Sequence, residues 1–282
     1  MIRYALRFTC VLALLLASGC IDATTVVSVK KDGSGSLFDI MFVGKGLQQM
    51  IQQMSTAMGG EAAADQSANP LMDIEKYKAQ AATKGEGVRF ISAKELKKTD
   101  GTIGVGVVYA FEDIRKLKIS SDPDIPGQTG GQASKKSNPI TFDFVSDHGP
   151  KLIINLSQGD NGEKLKPKSM EMPPVVTQEI PSEQLAQMKQ MFDGFRVRIM
   201  VKVDGEISRT NASYVEIDTQ SKKKQLVTLL DMNIGEIMKD EETFKKLAAM
   251  GEIQDMKTAA EKLKGMPGLK IETARRVEVE FQ

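Results

Sequence analysis

The stretch Thr24-Thr25-Val26-Val27-Ser28-Val29-Lys30-Lys31-Asp32-Gly33-Ser34-Gly35-Ser36-Leu37-Phe38-Asp39-Ile40-Met41-Phe42-Val43 decides the fold. Thr24 to Lys31 is rich in β-branched residues, which suit a pleated, half-buried surface. Asp32-Gly33-Ser34-Gly35 is turn chemistry, because glycine reaches positive φ without steric cost. Ser36 to Val43 resumes a two-residue alternation that puts Phe38, Ile40 and Phe42 on one face. The reading is a β-hairpin.

The same alternation recurs along the chain. Val88 to Ala93, Gly104 to Phe111, Ile140 to Phe144, Leu152 to Leu156 and Leu226 to Met232 are expected strands. Val197, Ile199, Val201 and Val203 alternate with Arg196, Arg198, Lys202 and Asp204, the cleanest half-buried strand. Asp204-Gly205 is expected to turn it back through Glu206 to Ala212. Val277, Val279 and Phe281 share one face of a last strand, with Arg276, Glu278 and Glu280 on the other.

Helical spacing interrupts these strands. Leu47, Met50, Ile51, Met54 and Met58 fall on one helical face, ended by Gly59-Gly60. Leu71 to Thr83 is a second expected helix, and Ser182 caps a third that carries Leu185, Met188 and Phe192. Asn233 and Glu236 fit a capping box. Short helices are expected near 242–250 and 253–263, broken at Gly265 to Gly268. Ser120 to Pro139 and Asn161 to Pro181 carry the prolines and glycines of irregular connectors. Hairpins with helices inserted in clusters predict an α+β fold with a mainly antiparallel sheet. One ectodomain spans 20–282, with a candidate division into two subdomains near 160–181.

The first 20 residues have their own logic. Arg3 and Arg7 precede an apolar run from Thr9 to Ala17, and small residues lead to Cys20. That order is a secretory signal, too short for a transmembrane helix of about 20 apolar residues. Ala17-Ser18-Gly19-Cys20 resembles the lipobox of bacterial lipoproteins, with Ala17 where Leu is usual. The resemblance implies cleavage before Cys20, with its thiol carrying the lipid. Residues 1–19 are then signal peptide and Cys20 the lipid attachment site. More than one acyl chain is needed for a stable anchor. Ile21 rather than Asp follows Cys20, which resembles the outer-membrane class of lipoproteins.

Composition narrows the chemistry. The 282-residue chain has a formal charge of +1. Losing Arg3 and Arg7 with the signal takes it near −1, which gives no electrostatic footprint for nucleic acid. Lys222-Lys223-Lys224 is expected to be a solvated turn. Cys10 leaves with the signal and Cys20 becomes a thioether, so no disulfide and no free thiol remain. Trp is absent and Met reaches 16, flexible filler in place of aromatic bulk.

His148 is the single histidine, in a turn beside Gly149 and Pro150. With one His and no available Cys, the usual zinc and iron ligand sets cannot be assembled. Asp122-Pro123-Asp124 lacks EF-hand spacing. The glycines from Gly101 to Gly106 have no P-loop lysine, and sheet packing explains them better. Asn211-Ala212-Ser213 matches a glycosylation sequon but reads as part of a hairpin. No catalytic residue, metal or cofactor is expected. Met50, Met54 and Met58 are the candidate ligand-binding residues, since flexible methionine surfaces suit apolar ligands. Core packing against the sheet is the plainer alternative.

Three segments carry a family resemblance: Val29 to Val43, Gly87 to Leu117 and Phe195 to Ala212. Within them lie Lys30-Lys31-Asp32-Gly33-Ser34-Gly35, Tyr109-Ala110-Phe111-Glu112-Asp113-Ile114, and Gly205-Glu206-Ile207 with Thr210-Asn211-Ala212. They resemble uncharacterised bacterial lipoproteins and, distantly, LppM-type lipoprotein domains. The resemblance implies no shared reaction. The expected function is a non-enzymatic, membrane-anchored envelope lipoprotein, binding or structural, whose partners are the membrane and an envelope protein or apolar ligand. The alternatives are a carrier of lipid or another apolar ligand and, third, a carboxylate-dependent envelope hydrolase.

Overall fold

The computed structural model describes residues 21–44, 71–120, 139–147, 149–156, 189, 192, 194–240 and 265–282. The decisive hairpin is there: β1 (Ile21–Val29) pairs with β2 (Gly35–Val43) in unbroken antiparallel register, from Ile21 opposite Val43 to Val29 opposite Gly35. Its turn is built by Asp32, whose Oδ1 accepts from Ser34 N at 2.9 Å and Ser34 Oγ at 2.7 Å. Gly33 takes φ +82, and a Cβ there would meet the ring of Phe144 at 3.0 Å.

The remaining elements follow in chain order. They are α1 (Ile74–Thr83), β3 (Arg89–Lys97), β4 (Ile103–Phe111), a 3-10 turn at Ile114–Lys116, β5 (Lys118–Ile119), β6 (Ile140–Val145), β7 (Lys151–Asn155), β8 (Arg196–Val203), β9 (Ile207–Thr210), β10 (Val215–Ile217), β11 (Lys224–Asn233), α2 (Ile234–Ile237), β12 (Leu269–Ile271) and β13 (Arg276–Phe281). Asp73 caps α1 by accepting from Lys76 N, and Asn233 caps α2 by accepting from Glu236 N.

Strand accounts for 54 % of this structure and helix for 12 %. The fold is therefore mostly β with antiparallel sheets, which corrects the balanced α+β expectation. Several of the expected helices, at 46–58, 182–192, 242–250 and 253–263, lie wholly or largely outside the described residues.

Two sheets make the molecule. The larger runs β10-β11-β8-β1-β2-β4-β3, with β12 paired to β11. The smaller runs β5-β6-β7-β13-β9. β1 and β8 pair in parallel, Asp22 beside Arg196 through Val29 beside Val203; the other ladders are antiparallel. Strands from either side of residues 160–181 share both sheets, as β1 with β8 and β7 with β13.

One face of each sheet is apolar and turned inward. Val27, Val29, Leu37, Val201 and Val203 of the larger sheet share a core with Phe142, Leu152, Ile154, Val277, Val279 and Phe281 of the smaller. Burying one such side chain contributes about 1.5–3 kcal/mol. The expected faces of the strands at 197–203 and 277–281 are thus confirmed. The hairpin gives a subtler result, because Leu37 and Val43 face inward and Phe38, Ile40 and Phe42 lie on the outer face of β2.

The return from Asp204-Gly205 is a correction. β9 does not fold back on β8; it crosses to the smaller sheet and pairs with β13. Gly205, at φ +155, lies against the backbone of Gln282, where a Cβ would sit 2.4 Å from the carbonyl oxygen. Glu206 N and Gln282 N each donate to the other residue's carbonyl, at 2.9 and 3.1 Å, and fix this switch between sheets. Asn211 belongs to the same joint, donating to Arg276 O and accepting from Glu278 N.

Gly35 gives a direct test of the hairpin. A Cβ there would stand 2.0 Å from Ser28 O, a backbone atom inside the β1–β2 ladder, and 2.6 Å from the ring of Phe111. Gly35→Ala is expected to cost about 1–3 kcal/mol, measured by urea denaturation of the soluble ectodomain.

Candidate functional site

Ile21, the residue after Cys20, opens β1 at one rim of the larger sheet. The register brings Val43, Ile103 and Arg196 to the same rim, with the β3–β4 turn at Lys98 to Thr102 beside them. From this rim the outer face divides into two chemically different halves.

On one side, across β1, β8, β11, β10 and β12, even-spaced positions carry ion pairs. Asp22 accepts from Lys98 Nζ at 2.9 Å and lies 3.5 Å from Arg198. Arg196 holds Asp231 with two hydrogen bonds, at 2.9 and 2.8 Å, the fork geometry that suits a carboxylate. Glu216 accepts from Lys270 at 2.7 Å and from the buried Thr228 hydroxyl at 3.0 Å. The Lys270 ammonium holds the Glu216 carboxyl below its ordinary value, with burial opposing. Asp218 is also held well below the carboxylate range, first by Lys202 at 2.8 Å and then by Ser221 N.

On the other side, across β2, β4 and β3, the outer face is apolar. Phe38, Val108 and Ser92 form one row, and Ile91 is the extra, unpaired residue of a β-bulge between Phe90 and Ser92. Phe42, Gly104 and Leu96 form another, nearer the rim. The glycines of β4 let neighbours lie flat across it. A Cβ at Gly104 would be 2.5 Å from the Phe42 ring, and one at Gly106 would be 3.1 Å from Leu96. That bears out the sheet-packing reading of these glycines. Lys98 Nζ sits 4.4 Å from the Phe42 ring centroid. Phe38 and Ile91 remain 36 % and 54 % exposed.

A polar cluster interrupts the inner face. Asp39, between Leu37 and Met41, accepts from Thr25 Oγ1 at 2.9 Å and pairs with Lys84 Nζ at 2.7 Å. Lys84 ends α1 and also lies over the Tyr109 ring. Tyr77 of the same helix donates to Leu71 O, and burial raises its phenol above the ordinary value. This cluster fastens α1 to the sheet; its charges are mutually satisfied.

The other candidate chemistry is structural. Glu272, 4 % exposed, accepts from Ser213 N, Ser213 Oγ, Thr273 N and Ala274 N, latching the entry to β10 onto the β12–β13 connection. Lys222 and Lys223 are exposed in a turn, as expected, and the exposed Lys224 already opens β11. Among the described residues no group of three or more His, Cys, Asp or Glu could hold a metal. An open groove of about 500 Å³ runs beside the end of α1, lined by Ala81, Val88 and Phe90 but also Lys78, Glu86 and Arg89. Cys20, Met50, Met54, Met58, Asp122, Asp124 and His148 lie outside the described residues. The apolar outer face had a signal in the sequence, the Phe38-Ile40-Phe42 alternation, but its exposure did not.

No family model, curated protein or solved structure matches this chain.

Two measurements check the electrostatics. Lys84→Met leaves Asp39 without its cation in a site where both side chains are mostly covered, and should cost about 1–3 kcal/mol by denaturant titration; Lys78→Met, removing an exposed pair, should change stability by less than about 0.5 kcal/mol. Carboxyls held below their ordinary values contribute stability that is complete above those values and is lost as pH falls through the folded-state ones. The melting temperature should therefore be level at neutral pH and fall below the ordinary Glu216 value of 4.5. Glu216→Gln should make that acid limb shallower in a calorimetric pH series.

Proposed function

We propose that this chain is a lipid-anchored component of the bacterial cell envelope, attached through Cys20, with a non-enzymatic binding or structural role. Where the fold starts supports this reading. β1 opens at Ile21, directly after the candidate lipid attachment residue, and pairs along its length with β2 on one side and β8 on the other. Cleavage before Cys20 leaves every described strand whole and ties the lipid to a central strand of the larger sheet. The likeness to LppM-type lipoprotein domains and the outer-membrane placement belong to the same proposal. No helix among the described residues is long and apolar enough to cross a membrane. In this reading the acyl chains at Cys20 hold the domain, because apolar chains contribute about 0.8 kcal/mol per buried methylene.

A second reading, a binder of lipid or another apolar ligand, draws on the exposed Phe38 on the outer face of β2 and the exposed Ile91 in the β3 bulge.

Cys20→Ser is the test. It should abolish labelling by a clickable fatty-acid probe and move the protein from the membrane pellet to the soluble fraction. A wild-type chain that takes up no probe, yet pellets with membranes as its Cys20→Ser variant does, would overturn the anchor.

A further inference from the structure

We infer that the fold sets a time limit on processing at Cys20: once β8 and β11 close over the start of β1, removal of the leader stalls, so cleavage precedes completion of the larger sheet. This rests on the proposed lipid attachment at Cys20 and concerns the cleavage step. In that step water adds across the Gly19–Cys20 peptide bond, Gly19 leaving with the new carboxylate and Cys20 keeping the amine.

A peptidase takes its substrate as an extended strand, through main-chain hydrogen bonds around the bond it cuts. Downstream of that bond lie Ile21, Asp22 and Ala23, and all three are already engaged. β2 pairs with them through Val43, Phe42 and Met41. β8 pairs with Asp22 and Ala23 from the other side, through Arg196 and Val197. Ile21 and Ala23 are 7 % and 8 % exposed. The Asp22 carboxylate pairs with Lys98 and Arg198. β1 begins at Ile21, so no spacer separates the scissile bond from the sheet.

The order in which these partners arrive turns geometry into timing. Ile21 and Ala23 are buried in one cluster with Phe195 and Val197, against Phe192, Leu230, Met232 and Ile234. Those six partners all come late in the chain, and the β8 pairing spans roughly 170 residues. Until they arrive, β1 has only its hairpin with β2, and a lone hairpin is marginally stable in water. The start of β1 then frays and the bond is open to a peptidase. Afterwards, three residues must be drawn out from between two strands. When opening and closing are fast, cleavage follows the fraction of molecules that are open. Exposing Ile21 and Ala23 and parting the Asp22 ion pairs lowers that fraction about a hundredfold.

The test uses the full-length precursor, diluted from urea into detergent-treated bacterial envelope membranes either at once or after refolding verified by circular dichroism. Loss of the leader is followed by mass spectrometry. The refolded precursor should lose it about a hundredfold more slowly than the precursor added unfolded. A flexible Gly-Ser spacer of about twelve residues, inserted between Cys20 and Ile21, should bring the refolded precursor to the unfolded rate. Equal rates for the refolded and unfolded native precursor overturn the time limit and leave the lipid attachment standing. So does a refolded spacer variant that stays as slow as the native one, since the barrier then lies outside β1. If neither precursor loses its leader in either state, the reading of Cys20 fails, and the time limit with it.

Discussion

The double pairing of β1 holds the structure together. Ile21 to Val29 are paired with β2 on one side, and Asp22 to Val29 with β8 on the other. The β2 pairing is local and follows from a five-residue turn. The β8 pairing is parallel and joins residues roughly a hundred and seventy positions apart, so its loop-closure entropy is met only when intervening strands are in place. Parallel strands require a crossover, and here the crossover contains β2 to β7. The smaller sheet repeats the device at the other end of the chain, since the last strand, β13, lies between β7 and β9. Neither terminal strand is an edge.

Fixing β1 in the centre determines what each face can be. Its inward Val27 and Val29 line up with Val201 and Val203 of β8 and with Leu37 of β2 in the core shared with the smaller sheet, while Ile21 and Ala23 join Val197 in a separate cluster. Its outward positions set Asp22 and Thr24 against the basic Arg196 and Arg198 on one side and against the apolar Phe42 and Ile40 on the other. β1 is thus the border between an ion-paired half and an apolar half of the outer face. The ion pairs are partly covered and bidentate at Arg196–Asp231, and they position strands more than they stabilise them. The apolar half is what gives the face its character as a surface.

Much of this was legible in the sequence where alternation is strict. Val197 to Val203 and Val277 to Phe281 have one apolar and one charged face, and one sheet side is buried, so only one register satisfies them. Asp32, Asn233 and the glycines of the turns act locally and are readable locally. The hairpin at 24–43 was legible as a hairpin but not by orientation. Both of its alternate sets, Leu37-Met41-Val43 and Phe38-Ile40-Phe42, are apolar, so periodicity could not say which faced the core. The return after Gly205 was misleading for a related reason. Asp-Gly followed by a strand is hairpin chemistry, yet whether the strand folds back or changes sheets depends on Gln282 and β13, some seventy residues away.

The sequence by itself determined the elements whose causes lie within a few residues: strands with one apolar face, Asx and glycine turns, helix caps, and the signal-like order ending at Cys20. The tertiary structure decided everything that requires distant residues to meet. It put β1 beside β8, sent β9 to the second sheet, buried Leu37 in preference to Phe38, and paired Asp39 with Lys84 beneath α1. The physical reason is that turn and capping preferences are fixed by local sterics and hydrogen bonds, whereas the choice of a strand's neighbour and inward face is set by how much apolar area the whole chain can bury at once.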